Sequence, residues 1–573
     1  GDFNPDEAIK IVDKYFGVLK PVELPEFKFK PEEPITTPVV LETTGLEAEN
    51  VSIGFRFNGA NSADKDILDL VSSILFNRKA GLVDLNINKK QLTLGCAAFG
   101  RSMVDYSMLQ LSGRNKKGQS LDEVKDLLLQ QVELLKKGDF PDWMLEAAIN
   151  NQKLSMMNML ESGRGRASMM YMAYLNRINW ADAVSSISRL EKITKDQIVK
   201  FANEKLGNNY VVVYKRQGKP EDVAKVAKPA ITPVHINRDV ESDFLKKIKN
   251  TTVKPIEPVF VDYKKDITKF NLNKEVEVLY NKNNTNGTFR MVYHFPFGRL
   301  SDPALAHAAD YIQLLGTSKL TADQVSQEFY KLACTFNVSV SDEEIQINLY
   351  GLSENAEKAM SLMESLLNDS KPDAEALKSY VANQLKARND SKKNQSTVFR
   401  ALVSYATYGA ENPFNYILSE EQLKALTPEV LTQKVKALST YPHTVLYYGT
   451  ANQSDLKKML TTYHKLPKKF NATPLNKKFV ELDTPKDRVV FGHYEAKQSY
   501  LQTISKSVPY SFELYPIVSV YNDYFGGGMN AIVFQELREK RGLAYTARAR
   551  FNTPSKPDRV FVNTSYIATQ NDK

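Results

Sequence analysis

The sequence predicts an α+β protein assembled from repeats of one unit, an antiparallel-rich sheet flanked by helices. Two observations predict this class. Segments with strand-like alternation and segments with the 3.6-residue period of helices come in clumps, which is typical of α+β folds. Segments that lie hundreds of residues apart also resemble one another, which indicates an internal repeat. The 573 residues are enough for about three to five domains of ordinary size.

The composition excludes several classes of protein. Hydrophobic residues make up 42% and charged residues 25%, as in ordinary globular chains. The net charge of +9 comes without a Lys/Arg block, so we do not expect nucleic-acid binding, although a cleft for polyanionic or ordinary peptide ligands is compatible with it. Because no run of 18 apolar residues occurs, no membrane span is expected. The two cysteines, Cys96 and Cys334, are too few for a disulfide scaffold and are expected to be buried.

The first repeat joins the start of the chain to a segment near residue 450. At an offset of 448 residues, Gly1 matches Gly449, Asn4 matches Asn452, and the apolar pattern of the following helix is kept. A strand precedes the second copy, but no strand precedes the first. The chain also begins without Met or a signal peptide. We therefore expect a fragment that lacks most of a first unit.

A second repeat, at an offset of 240 residues, aligns Phe55-Arg-Phe57 with Phe295-Pro-Phe297. Each motif ends a predicted strand and precedes a predicted helix. A third copy is predicted from the strand at 501–505 and the helix at 515–525. Within the best-defined copy the pattern predicts the following elements, with Asp142 as a helix N-cap: strands at 50–57, 92–98, 106–112 and 209–215, and helices at 121–136 and 143–158.

These repeats predict five segments. They are the tail of a first unit at 1–36, a second unit at 37–218, a linker at 219–258, a third unit at 259–470 and a truncated fourth unit at 471–573. The linker carries helix-breaking prolines, so we expect it to act as a hinge between two halves. The Met-rich stretch at 156–172 is expected in a core or in the packing between helices, and Gly163–Arg166 in a helix–helix turn.

The histidines give no convincing metal site. His307-Ala-Ala-Asp310-Tyr311 places positions 307 and 311 on one helix face, as in a zinc motif. However, Tyr311 is a poor replacement for a histidine ligand, and Asp310 has a shorter reach than glutamate. No Glu occurs between residues 381 and 391 to supply a third ligand. We therefore predict that this chain binds no zinc.

Two features near the C-terminus are candidates for ligand contact. The run Gly526-Gly527-Gly528 favours a hinge, or a surface that a peptide backbone approaches closely, over a phosphate loop. Arg538 ends a predicted helix and Tyr545 begins a predicted strand, so both can face one cleft. The second unit has Lys89 and Cys96 at the corresponding positions, so the unit does not need an Arg and a Tyr in order to fold.

The string FGGGMNAIVFQELREKRGLAYTARARF resembles the C-terminal half of the pitrilysin/insulinase family of zinc peptidases. That family has a Gly-containing loop followed by L-R-E-x-x-G-L-A-Y, and this chain matches it residue for residue from Leu537 to Tyr545. The resemblance implies four related α+β units in a clamshell of two halves. It also implies that zinc is held in the first unit by H-x-x-E-H and a downstream glutamate, all of which would precede Gly1. Arg538 and Tyr545 would then orient the substrate and stabilise the oxyanion.

The function implied is that of the zinc-free portion of a metalloendopeptidase, inactive when alone. Its substrate would be a peptide or an unfolded protein, and its partner the missing N-terminal catalytic domain or another subunit. The alternative is a non-catalytic scaffold that has lost zinc. An intact H-x-x-E-H upstream of Gly1 would decide between them. A bacterial periplasm or cell envelope location is compatible with the composition.

Overall fold

The computed structural model describes residues 3–23, 25, 30–219, 240–255, 257–496, 498–554 and 556–570. Within these residues the chain forms three separate sheets, each packed against helices. The predicted α+β class is confirmed. We refer to the sheets with their helices as the five-stranded, six-stranded and three-stranded units.

The five-stranded unit follows an exposed first helix, α1 (Pro5–Phe16). Its sheet has the order β1-β5-β2-β4-β3, in which only β1 and β5 pair in parallel. Its strands are β1 (Val39–Gly45), β2 (Asn50–Asn58), β3 (Gly95–Ser102), β4 (Tyr106–Arg114) and β5 (Tyr210–Gln217). Its helices are α2 (Asp64–Leu75), α3 (Leu121–Lys137), α4 (Trp143–Leu160), α5 (Gly163–Leu175), α6 (Trp180–Val184), α7 (Ser186–Leu190) and α8 (Lys195–Lys205).

The six-stranded unit begins after the short helix α9 (Asp243–Lys249). Its strands are β6 (Thr268–Asn273), β7 (Val276–Lys282), β8 (Thr288–Phe295), β9 (Cys334–Val340), β10 (Ile345–Leu352) and β11 (His443–Gly449). Its helices are α10 (Ala304–Ile312), α11 (Ala322–Lys331), α12 (Ala356–Asp369), α13 (Ala374–Ser391), α14 (Gln395–Tyr408), α15 (Glu420–Lys424), α16 (Pro428–Lys436) and α17 (Gln453–Tyr463). Two 3₁₀ turns, Ser353–Asn355 and Ala437–Thr440, complete it.

The two larger sheets share one topology. The order β7-β11-β8-β10-β9 repeats β1-β5-β2-β4-β3, and β6 is added at the edge. The parallel pair β7/β11 corresponds to β1/β5. Phe55 and Phe295, which the 240-residue repeat aligns, are both buried in the cores of their units. The sequence repeat is therefore a repeat of the fold.

The 448-residue repeat joins two helices that begin at matched positions. Asn4 caps α1 by accepting hydrogen bonds from the backbone of Asp6 and Glu7. Asn452 caps α17 in the same way through the backbone N–H of Asp455. An asparagine at the N-cap satisfies backbone donors that the first helical turn leaves free.

The three-stranded unit contains β12 (Gln498–Pro509), α18 (Leu514–Phe525), β13 (Ala544–Asn552) and β14 (Val560–Gln570). Its order, β12-β14-β13, corresponds to β2-β4-β3 of the five-stranded sheet. A small core forms where Val533 meets Ala547 and Ala549 of β13. A π-helical segment precedes β3 in the five-stranded unit and β13 in the three-stranded unit. These segments are Asp84–Asn88 and Phe534–Lys540.

The five-stranded and six-stranded units pack directly against each other, with α4 against α11. The Asn151 side-chain amide donates to the Tyr330 carbonyl at 2.9 Å, and the Gln91 amide donates to the Ala376 carbonyl at 2.8 Å. In the described part of the chain, no helix has the length and apolar character needed to cross a membrane.

Asp142 lies at the N-cap position of α4, as expected, but it makes no capping hydrogen bond there, and its carboxylate pairs with Lys195 at 3.0 Å. Two other local expectations are wrong. Gly163–Arg166 is the first turn of α5, capped by the Ser162 hydroxyl, rather than a connecting turn. Most of the Met-rich stretch lies at the surface, and the buried residue of α5 is Ala173. Pro229 and Pro233 of the predicted hinge lie outside the described residues.

Candidate functional site

Arg538 and Tyr545 lie at the junction between the π-helical segment and β13. The π turn carries Arg538 near its end, and Tyr545 is the second residue of the strand. The register of β13 against β14 shifts between Ala544 and Thr546, so Tyr545 sits at a bulge. Bulges and π turns both redirect a side chain relative to a regular element.

The structure brings the two side chains into contact. The Arg538 guanidinium carbon lies 4.5 Å from the centroid of the Tyr545 ring and 4.6 Å from that of Phe534. Its nearest carboxylate is Glu539, at 3.5 Å from Nε. The Tyr545 side chain is 76% exposed, and its hydroxyl makes no hydrogen bond within the described residues. A cation and a phenol are thus presented together to solvent.

The three glycines of the preceding loop differ in their surroundings. A Cβ on Gly526 would lie 1.9 Å from the Ala549 carbonyl oxygen, and one on Gly527 would lie 2.8 Å from the Asn522 oxygen. A Cβ on Gly528 would meet nothing within 4 Å. Gly526 is therefore needed for the packing of α18 against β13, whereas Gly528 faces open space.

The helix that resembles a zinc motif, α10, holds a closed hydrogen-bonded cluster. The Tyr380 hydroxyl lies 2.8 Å from His307 Nδ1 and donates to Asp310 Oδ2 at 2.9 Å. The Tyr311 hydroxyl turns away and donates to the Asp373 carbonyl at 2.6 Å. A tyrosine hydroxyl thus joins the two side chains that would have to hold a metal, while the third bonds to the start of α13.

The surroundings affect the two side chains of this cluster differently. Burial, with Arg388 nearby, lowers the pKa of His307 to about 4, which keeps its ring neutral. Burial raises the pKa of Asp310, which favours the neutral acid over the carboxylate that a metal ion needs. Across the described ranges, no three His, Cys, Asp or Glu side chains lie close enough to share a metal ion. The residues present do not fit zinc.

The positions that correspond to Arg538 and Tyr545 have a different role in the five-stranded unit. The Lys89 ammonium donates to the backbone carbonyl of Gln313 at 2.5 Å, just beyond the end of α10. Cys96 is buried and contacts the Thr93 hydroxyl at 3.3 Å. Lys89 therefore contributes to the contact with the six-stranded unit, whereas Cys96 packs inside its own unit.

A buried polar chain in the six-stranded unit was not foreseen. His443 Nε2 and His464 Nε2 lie 2.9 Å apart, and His464 Nδ1 lies 2.8 Å from Glu364 Oε1. The Tyr293 hydroxyl donates to the same carboxylate oxygen at 2.8 Å. Burial lowers the pKa of His443 to about 4. Its members come from β8, α12, β11 and the end of α17, so sequence spacing gives no signal for it.

Comparison with known families gives two matches. The family described as "Peptidase M16 inactive domain" matches residues 1–152 and 426–572, which together are slightly more than half of the chain. The family described as "Insulinase (Peptidase family M16)" matches residues 298–421. The first family thus matches two parts of one chain.

Individual relatives agree with these matches. An uncharacterized zinc protease of Rickettsia felis is 23% identical over 285 residues, which are 48% of this chain and 65% of that protein. The uncharacterized zinc protease YmxG of Bacillus subtilis is 26% identical over 247 residues, 42% of this chain and 58% of that protein. The chain therefore spans less than two thirds of the length of these curated relatives.

Among solved structures, a mutant of the ferredoxin protease FusC in complex with Arabidopsis ferredoxin has a similar fold. Its TM-score is 0.51 at 11% identity, covering 100% of this chain and 66% of that one.

Proposed function

Because the chain belongs to the insulinase family of peptidases, we propose that it forms the zinc-free part of the substrate chamber of a zinc metalloendopeptidase. Arg538 and Tyr545 contact the peptide bond that is cleaved. The observation that carries this proposal is their stacked and exposed arrangement, with 4.5 Å between guanidinium and ring. Neither side chain is buried in a core, so packing does not account for the pair.

The chemistry of the two groups suits peptide hydrolysis. A scissile carbonyl oxygen gains negative charge as the tetrahedral intermediate forms, and preorganised donors stabilise that charge. A phenol hydroxyl and a guanidinium both donate hydrogen bonds, and the guanidinium keeps its charge at any physiological pH. Stacking of Arg538 on the Tyr545 ring limits the freedom of both groups, which reduces the entropy lost when they engage a substrate.

The zinc belongs, in this proposal, to a first unit that carries H-x-x-E-H ahead of Gly1. This assignment is supported by α10, where the Tyr380 hydroxyl joins His307 to Asp310 and leaves side chains that do not fit zinc. The substrate is a peptide or an unfolded protein. Gly527 and Gly528 would border its backbone, while Gly526 serves the fold.

For the larger organisation we propose the boundaries expected from the sequence, with units at 37–218, 259–470 and 471–573, preceded by the tail of a first unit at 1–36. The linker at 219–258 connects two halves that close like a clamshell. A bacterial envelope location stays a prediction from composition.

Replacement of Tyr545 by Phe in the longer protein tests the proposed role. The change removes one hydroxyl and keeps the ring that Arg538 contacts. If the hydroxyl stabilises the oxyanion, kcat for a reporter peptide falls by about 10²–10³, or roughly 2–4 kcal/mol, with a small change in KM. Arg538→Lys should also impair turnover, because it keeps the charge and loses the planar fork.

The matched control is Tyr524→Phe, another exposed tyrosine in the same unit. It should cleave at the parental rate. If Tyr545→Phe does so too, the pair has no role in turnover. If the gene encodes no H-x-x-E-H upstream of Gly1, the peptidase proposal fails and the non-catalytic scaffold is favoured.

A further inference from the structure

A cavity of about 710 Å³ lies where the five-stranded unit meets the six-stranded unit. Its wall combines the end of α2 and the face of α4 with α10, α11 and β9. Three basic side chains line it, Arg78, Lys79 and Lys89, and the one carboxyl among its lining residues is Asp310. Basic side chains therefore outnumber carboxyl groups on this wall; Arg78 is exposed, and Lys79 and Lys89 are half-buried.

Lys79 holds its charge in this cavity without a counterion. Its ammonium donates to the Cys334 carbonyl at 3.2 Å and to the Asn151 side-chain oxygen at 3.4 Å, and it lies 5.9 Å from the centroid of the Tyr330 ring. No carboxylate of the described residues forms an ion pair with it. Burial lowers the pKa of Lys79 to about 8, which shows how poorly its charge is compensated.

Lys89, which follows the π-helical segment of the same unit, is in a similar position. Its ammonium donates to the Gln313 carbonyl and forms no ion pair in the described ranges. Asp84 and Asp323 attract it from a distance, yet burial still lowers its pKa. The Asp84 carboxylate instead accepts from the backbone N–H groups of Asn77 and Gly81, at 2.9 and 3.1 Å.

The carboxyl group of the cavity wall already accepts a hydrogen bond. Asp310 accepts the Tyr380 hydroxyl, and burial raises its pKa, which favours the neutral acid. The side-chain amide nitrogen of Gln313 is buried and has no partner in the described part of the chain. Among the lining residues, donors and positive charge therefore exceed acceptors and negative charge, and a half-buried ammonium without an ion-pair partner is poorly compensated.

We propose that this cavity binds a small oxyanion, carried by a phosphate or carboxylate group, at the wall that carries the Lys79 and Lys89 ammonium groups. A water molecule could accept hydrogen bonds there but would not neutralise charge, and a cation would be repelled. Such a ligand would contact a wall built from both units, so its binding would favour their docked arrangement. This inference does not depend on the proposed peptidase role.

Isothermal titration of the 573-residue chain tests it, with inorganic phosphate in one arm and citrate in the other. Sodium chloride at equal ionic strength corrects for screening. We expect saturable binding in at least one arm, and the arm that binds identifies the source of the oxyanion. Lys79→Gln and Lys89→Gln should each weaken binding at least tenfold, whereas Lys153→Gln, on the exposed face of α4, should not. Absence of binding in both arms, or equal binding by the double variant, would overturn the proposal.

A second measurement keeps the test valid if the variants fold poorly. Lysines of the unmodified chain are acylated at pH 8 with acetic anhydride and quantified by mass spectrometry. The bound anion should slow acylation of Lys79 several-fold and leave that of Lys153 unchanged. Equal acylation of Lys79 with and without saturating anion contradicts binding at this place.

Discussion

At the scale of single residues, Gly526 and Gly528 show how two neighbouring glycines can have different roles. The first lies against β13, and the second faces open space. We predict that Gly526→Ala destabilises the three-stranded unit by about 1–3 kcal/mol, because a Cβ 1.9 Å from the Ala549 oxygen forces the backbone to move. Hydrogen exchange of α18 and β13 measures this effect.

Gly528→Ala is the matched control and should leave exchange in α18 and β13 as it is. The two variants add the same methyl group to the same loop, so a difference between them reports the local contact alone. Equal exchange in both variants would mean that the loop can shift away from Ala549 at little cost.

Some of the candidate site residues could be predicted from the sequence, and others could not. Arg538 and Tyr545 could be predicted because a helix end followed by a strand start brings two side chains to one edge, and the structure places them in contact. The surroundings of Lys79 could not be predicted, because the ammonium contacts Cys334 and Tyr330, which lie about 250 residues further along the chain. Sequence spacing carries no information about a contact that docking creates.

At the scale of elements, the buried polar side chains from His443 through His464 to Glu364 link β11, the end of α17 and α12. These side chains make the stability of the six-stranded unit depend on pH. His443 Nδ1 lies 2.8 Å from the Tyr441 carbonyl and must donate to it, so Nε2 of the neutral ring is left as an acceptor that faces His464 Nε2. A second proton on His443 would place a positive charge in a buried position.

The pH dependence follows from the lowered pKa of His443, about 4 against an ordinary value of 6.5. Between these values the unfolded chain binds more protons than the folded one, so stability falls as the pH is lowered through this window. The loss approaches about 3 kcal/mol at pH 4. Thermal unfolding followed from pH 7.5 to 4 should show it.

His443→Gln should lower the stability at neutral pH and flatten its decline in acid. His307, whose pKa is also lowered to about 4, also makes the folded protein less stable as the pH falls. His307→Gln should therefore remove a comparable part of the stability loss in acid. A double variant that retains the parental acid dependence would show that these histidines do not control it.

Element boundaries were predictable where one periodicity ran without interruption. The helices expected at 121–136 and 143–158 occur as Leu121–Lys137 and Trp143–Leu160. The strand expected from residue 92 begins at Gly95, because Leu92 and Thr93 still belong to the turn after the π segment. The π segments themselves escaped prediction, since their wider turn leaves no distinct pattern over five to seven residues.

At the scale of the whole molecule, a set of polar contacts accompanies the docking of the five-stranded and six-stranded units. Asn151 on α4 donates to the Tyr330 carbonyl at the end of α11. We predict that Asn151→Ala loosens this contact and speeds hydrogen exchange at the end of α11 by about tenfold. Loss of one hydrogen bond to a buried carbonyl costs about 1–3 kcal/mol.

Asn158→Ala, on the same helix and at an exposed position, provides the comparison. It should leave exchange in α11 unchanged. If Asn151→Ala also leaves it unchanged, apolar packing between α4 and α11 holds the two units together without help from this amide. The repeat predicted the units but not their docking, because a repeat reports similarity and carries no information about contact surfaces.

Both native thiols are protected from chemical labelling. Cys96 and Cys334 are 5% and 0% exposed, and burial raises their pKa to about 11 and about 12. Since thiolates are the reactive species, maleimide dyes at pH 7 will leave both untouched. A cysteine introduced on each side of residues 220–239 would therefore be labelled selectively in an otherwise native chain, and the distance between the two dyes could be followed without removing any natural residue.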